Sequence, residues 1–137
     1  MPKTKQFYAI LYLRLSKEDG DKEESYSISN QRDLGLDYLS KHPEIKLVHT
    51  LVDDGFTGSN FERPSFQKMI DLITKGKVNC VIVKDLSRFA RDYVGSGYYL
   101  EKLFPSMGVR FISINDNIDF LTDDSSNTKL IMAFKNV

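Results

Sequence analysis

Apolar residues run almost unbroken from Phe7 to Leu15, interrupted by Arg14 and followed by Ser16 (FYAILYLRLS). A run of this length, aromatic and branched in composition, predicts a strand buried on both faces of a sheet, so Arg14 and Ser16 emerge at its carboxyl end. Residues 17–27 (KEDGDKEESYS) are polar and charged and read as a loop. Ser29 then caps a helix over 30–39, with Gln31, Leu34 and Tyr38 along one side. A second strand over 45–52 leads into a turn-rich loop at 53–60 (DDGFTGSN). Pro64 opens the next helix, where Phe66, Met69, Ile70 and Ile73 form a helical stripe and Gly76 stands just past the end. A third strand over 78–84 is followed directly by 85–92 (DLSRFARD). A helix through Tyr98, Leu100 and Leu103 closes at Pro105 and Gly108, and a fourth strand covers 109–114.

Strand and helix alternate throughout, the order of a doubly wound α/β domain. The expected fold has three layers: a mostly parallel sheet of about four to five strands with helices on both faces. Its carboxyl edge, where open α/β sheets bind ligands, would gather Ser16, Asp53, Asp54, residues 87–92 and residues 115–119. Residues 1–122 read as one domain. In the tail, Asp123, Asp124 and Ser125 resemble a helix start, and Leu130, Phe134 and Val137 continue an apolar stripe. Residues 123–137 are therefore expected to begin a long helix whose apolar face meets a partner subunit; the competing reading is a short helix packed on the sheet.

A chain of 137 residues suffices for one well-buried core. The single cysteine, Cys80, lies in an apolar run and reads as a buried thiol. The opening segment lacks a signal-peptide cleavage site and no apolar run reaches the length of a membrane span, so a cytoplasmic location without membrane contact is expected. The 19 basic and 19 acidic residues balance, without the basic excess of a module that holds nucleic acid by neutralising phosphates.

The chemistry at the expected edge is that of arginine. The two histidines, His42 and His49, fall in a helix-to-strand connection and inside the second strand, which disfavours a serine-hydrolase triad around Ser16. The chain carries neither a glycine-rich phosphate loop of the Walker kind nor a cluster with metal-ligand spacing. Arg14, Arg88 and Arg91 are instead set about one hydroxyl, and guanidinium groups match phosphate oxygens in a planar fork. Such a grouping suits phosphoryl transfer, which needs positioning and charge neutralisation. Taken singly these residues have plainer readings: Arg14 as a solvated strand end, Arg88 and Arg91 as an ion-pair face with Asp85 and Asp92, Tyr12 as core, Gln31 as a solvated helix residue.

Their joint arrangement is more specific. Tyr12-Leu13-Arg14-Leu15-Ser16, Ser27-Ile28-Ser29-Asn30-Gln31, Asp54-Gly55-Phe56-Thr57-Gly58 with Arg63-Pro64 behind it, and Leu86-Ser87-Arg88-Phe89-Ala90-Arg91-Asp92 resemble, in order and spacing, the catalytic domain of the serine recombinases. The long acidic loop after Ser16 and the segment from Asp53 to Phe66 are most similar to the large members found in phages and mobile elements. The resemblance implies a resolvase-like catalytic domain that cuts and rejoins DNA through a 5′-phosphoserine link, without metal or nucleotide cofactor. Ser16 would be the nucleophile, Arg14, Arg88 and Arg91 the phosphate-binding arginines, and Asp54 an acidic residue of the same site. Tyr12, Gln31, Arg63, Thr57 and Ser87 fall at supporting positions. Ser87 stands where small resolvases carry aspartate, and Thr57 replaces the usual serine. Asp54 and an arginine are both candidates for proton transfer at Ser16.

The same resemblance accounts for the neutral charge: double-stranded DNA would be gripped mostly by C-terminal domains absent from this chain, with weak binding by this part alone, and the tail helix would build homodimers and synaptic homotetramers. Two other readings compete. One is a non-enzymatic oligomerisation module of the same fold; the other is a receiver-like phospho-acceptor, disfavoured because Asp53 and Asp54 follow the second strand and not the first.

Overall fold

The computed structural model describes residues 6–15, 24–54, 63–90 and 97–120, with the backbone alone described for 24–27, 54 and 120. Five strands form one sheet in the order β2-β1-β3-β4-β5. They are β1 (Phe7–Leu15), β2 (Ile45–Asp54), β3 (Cys80–Val83), β4 (Arg110–Ser113) and β5 (Ile118–Phe120). The first four are mutually parallel and β5 runs antiparallel to β4. This is the mostly parallel α/β sheet read from the alternation of elements.

β1 is buried along nearly its whole length because its alternate residues serve two cores. Phe7, Ala9, Leu11 and Leu13 join Cys80, Ile82 and Ile112 under α1 (Glu24–Ser40). Ile10 and Tyr12 join Val81, Val83 and Phe111 under α2 (Pro64–Thr74), whose Phe66, Met69 and Ile73 are buried at the spacing expected of a helix stripe. Helices thus cover both faces. Gly35 lets α1 lie close on β1, since a Cβ there would sit 2.5 Å from a Leu11 methyl carbon. Gly76, at φ 72°, turns the chain out of α2 in the left-handed region.

Four boundaries differ from the sequence expectation, each for a physical reason. α1 begins at Glu24, so 24–27 is helical and not loop, and Ser29 lies within the helix instead of capping it at 30. A polar stretch reads alike as a loop or as the solvent side of a helix, and here Ile28, Tyr38 and Leu39 anchor α1 on the sheet. β2 continues through Asp53 and Asp54, which were expected in the following loop; Asp53 can stay in the strand because its carboxylate finds partners in α2, described below. The helix expected near 98–105 is a π-helical segment, Tyr98–Leu103, leading into a short turn, α4 (Phe104–Ser106); Pro105 has no N–H to give to a regular helix. Finally, 115–119 is not wholly loop. A turn with Asn117 at φ 55° returns the chain as β5.

Between β3 and the π-helical segment lies α3 (Leu86–Phe89), a single helical turn. Among the described residues no helix is long and apolar enough to cross a membrane. The tail at 121–137 lies outside the described residues.

Candidate functional site

β1 outruns β3. It pairs with β2 as far as Leu15 but with β3 only from Ala9 to Leu11, so the backbone of Arg14 has no strand on that side. Gln31 of α1 takes the vacant place. Its amide accepts from the Arg14 N–H (3.3 Å) and donates to the Arg14 carbonyl (3.1 Å), as a neighbouring strand would. Arg88 donates to that carbonyl as well, from Nη1 at 3.0 Å. Gln31 is accordingly buried, and not solvated on its helix.

α3 ends with the Ala90 N–H donating to the Leu86 carbonyl at 2.9 Å. The carbonyls of Ser87, Arg88 and Phe89 are left over at its negative end. Two fully buried arginines take them. Arg14 donates from Nε to the Arg88 carbonyl (3.1 Å) and from Nη2 to the Ser87 carbonyl. Arg63 donates from Nη1 to the Arg88 carbonyl (3.3 Å) and from Nη2 to the Phe89 carbonyl (2.6 Å). The Arg63 guanidinium also faces two aromatic rings, Phe66 at 4.7 Å and Tyr12 at 5.6 Å. Burial lowers its pKa, a tendency opposed by the nearby Tyr12 and Asp53.

A third group lies behind the arginines. The Tyr12 hydroxyl donates to Asp53 Oδ2 at 2.8 Å, and the N–H groups of Ser65 and Phe66 donate to Asp53 Oδ1 and Oδ2, each at 2.9 Å. Asp53 therefore caps α2, whose own N-cap residue, Arg63, makes no side-chain cap bond. Burial, more than any charge, pushes the Tyr12 hydroxyl well above the ordinary phenol range.

At the other end of α3, Asp116 Oδ2 accepts from the Leu86 N–H (2.8 Å) and the Ser113 hydroxyl (2.7 Å). The Ser87 hydroxyl donates to Asp85 Oδ1, and Arg88 Nε stands 3.8 Å from the same oxygen. Arg88 is thus only partly the ion-pair residue of the plainer reading, since its Nη1 reaches inward to β1. Arg88 keeps some solvent exposure where Arg14 has none.

Of the residues singled out in the sequence, Tyr12, Arg14, Gln31, Arg63, Ser87 and Arg88 converge on the carboxyl end of β1. Ser16, Thr57 and Arg91 lie outside the described residues, as does the side chain of Asp54. Asp54 is paired in register with Leu15, the residue before Ser16. The roles of Asp53 and Asp116 escaped the sequence reading. A signal for Asp53 existed: a helix opened by Pro64 with arginine at its N-cap has no local acceptor and needs one from elsewhere.

The comparisons with known proteins agree with this architecture. A family model described as Resolvase, N terminal domain, matches residues 9–136. The transposon Tn917 resolvase of Enterococcus faecalis is 33% identical over 75 residues, 55% of this chain and 39% of that protein. The match thus spans about two fifths of that relative's length. Among solved structures, the N-terminal catalytic domain of TP901-1 integrase has a TM-score of 0.77 at 27% identity, covering 94% of this chain and 93% of that one. A resolvase family site-specific recombinase from Streptococcus pneumoniae has a TM-score of 0.73 at 26% identity, covering 96% and 88%.

Proposed function

The chain belongs to the resolvase N-terminal domain family, and from that premise we propose that it is the catalytic domain of a site-specific DNA recombinase working through a covalent 5′-phosphoserine link at Ser16. The observation that carries this reading is the direct bonding of β1 to α3: Arg88 donates to the Arg14 carbonyl two residues before Ser16, while Arg14 donates back to α3. The two sequence segments that would supply nucleophile and phosphate-binding arginines are thereby one structural unit.

In this mechanism Ser16 Oγ attacks the scissile phosphorus. The Oγ–P bond forms as the bond to the 3′-oxygen breaks, Ser16 gives up its proton, and the departing 3′-oxygen gains one. Asp54 and an arginine remain the candidates for those transfers. Arg88 and Arg91 neutralise the phosphate oxygens as charge moves across them. Arg14, the third phosphate-binding arginine of this reading, donates from Nε and Nη2 to the α3 carbonyls and so also ties α3 to β1. The phosphoserine ester keeps the energy of the broken bond, so a 3′-hydroxyl of another strand can reverse the reaction without a nucleotide.

The substrate in this reading is double-stranded DNA, held mainly by parts of the protein beyond the catalytic domain, since 19 basic residues are offset by 19 acidic ones. In the same reading copies of the protein assemble into dimers and synaptic tetramers, and residues 123–137, outside the described residues, would supply part of the helix that joins them. The test is a denaturant-stable protein–DNA adduct that Ser16→Ala abolishes.

A further inference from the structure

Asp53 is 2% exposed, and its carboxylate is enclosed by a hydroxyl and two helix amides. We propose that Asp53 is a positioning residue for the arginine centre, acting through Arg63; the proposal rests on the recombinase reading above.

The link from Asp53 to Arg63 runs through the start of α2. The bonds of Asp53 to the Ser65 and Phe66 N–H groups fix the first turn of α2 against the end of β2. Pro64 then restricts the residue before it, and Arg63 is held extended at φ −82°, ψ 130°. The backbone from which Arg63 projects is thus set by Asp53. So is the surface on which its guanidinium lies. Phe66, held by its N–H, provides one aromatic face, and Tyr12, held by its hydroxyl, provides the other. The two rings meet edge to face at 5.9 Å. At its far end Arg63 grips the carbonyls of Arg88 and Phe89.

α3 needs such a grip. A single turn has too few internal bonds to hold its own form, and its place is given by Asp116 at one end and by Arg14 and Arg63 at the other. Arg14 belongs to β1, so it ties α3 to one strand only. Arg63 ties α3 to a second body, α2, and Asp53 registers that body on β2. An aspartate that merely capped α2 would stabilise the helix and leave α3 where it was. A positioning aspartate must be felt at Arg63 and at the reaction.

Asp53→Asn separates the two. It preserves shape and one acceptor but removes the charge and turns the other acceptor into a donor, facing either the Ser65 N–H or the Phe66 N–H and the Tyr12 hydroxyl. The full protein is studied well below each variant's unfolding midpoint. By NMR, exchange of the Arg63 guanidinium protons is expected to be at least about tenfold faster in Asp53→Asn, with amide exchange in Cys80–Val83 unchanged. With DNA from the ends of the element that encodes the protein, adduct formation at Ser16 is expected to slow about tenfold or more in Asp53→Asn and in Arg63→Lys, and the double variant to be no slower than the slower single variant. Unchanged Arg63 exchange in Asp53→Asn overturns the proposal, as do rate losses that multiply independently. If the parent protein forms no adduct, the recombinase reading has failed, and the exchange measurement alone decides whether Asp53 positions Arg63.

Discussion

Arg14 and Arg63 donate to the same carbonyl oxygen, that of Arg88, at 3.1 and 3.3 Å. Two buried guanidinium groups share one acceptor because a single-turn helix presents several leftover carbonyls at its negative end. Their like charges are tolerated there in company with the Asp53 carboxylate and the aromatic faces of Tyr12 and Phe66.

Arg63→Lys tests the geometry of that arrangement. A lysine ammonium carries the charge but not the planar fork, so it cannot hold two carbonyls while lying flat on Phe66. The variant is expected to lose about 2 kcal/mol of stability, the cost of leaving a buried acceptor unmatched, seen as a lower urea midpoint at unchanged slope.

Gln31→Ala removes the side chain that stands in for a missing strand beside Arg14. A loss of about 1–3 kcal/mol is expected. Gln31→Glu tests the same contact differently: it keeps an acceptor for the Arg14 N–H but sets a carboxylate oxygen against the Arg14 carbonyl, and it is expected to be at least as damaging. Thermal melts of both variants beside the parent measure this.

Alkaline pH should destabilise the fold in a defined order. Burial pushes the Cys80 thiol up to about 12 and the Tyr38 hydroxyl, also chiefly by burial, up to about 12. In the unfolded chain the thiol loses its proton near 9 while the native thiol keeps its own, so the stability present below that pH declines as pH rises from there toward 12. The buried Cys80 thiol gives a slope of about 1.4 kcal/mol per pH unit there, and the half-buried Tyr38 hydroxyl, screened by solvent, gives less. Cys80→Ala should flatten the first part of the decline, before the phenols of the unfolded chain ionise. Urea midpoints from pH 8 to 11 provide the check.

Much of this architecture could be read from the chain, for identifiable reasons. β1 and α2 were legible because burial on two faces leaves a continuous apolar run and burial on one face leaves a stripe. β5 was not, since three residues carry no periodicity and the strand exists through its pairing with β4. The start of α1 was hidden because polarity does not separate a loop from a helix's wet side. The site was half legible. Tyr12, Arg14, Gln31, Arg63, Ser87 and Arg88 do meet, but the plain readings of Arg14 and Gln31 as solvated fail because their partners are backbone groups of distant elements. Asp53 was missed for the same reason, its helix partners lying 12 and 13 residues further on.

Arg88→Gln addresses the proposed chemistry, and because it also removes the Nη1 bond to the Arg14 carbonyl its urea midpoint is measured alongside. Loss of one transition-state arginine is expected to slow adduct formation on the order of a hundredfold, equivalent to about 3 kcal/mol. DNA affinity of the full protein should change little, because most of it is assigned to other domains. Single-turnover cleavage and a binding titration at the same salt concentration distinguish the two effects.

The central claim is that Ser16 becomes joined to DNA. The most direct measurement incubates the full protein with duplex DNA from the ends of its encoding element, denatures it, digests it with nuclease and trypsin, and determines the mass of the peptide 15–17 (Leu15-Ser16-Lys17). The account predicts this peptide carrying a nucleotide through a 5′-phosphate on Ser16, and its disappearance in Ser16→Ala. A protein that binds and synapses the same DNA while leaving Ser16 unmodified would contradict the account and mark the domain as an oligomerisation module.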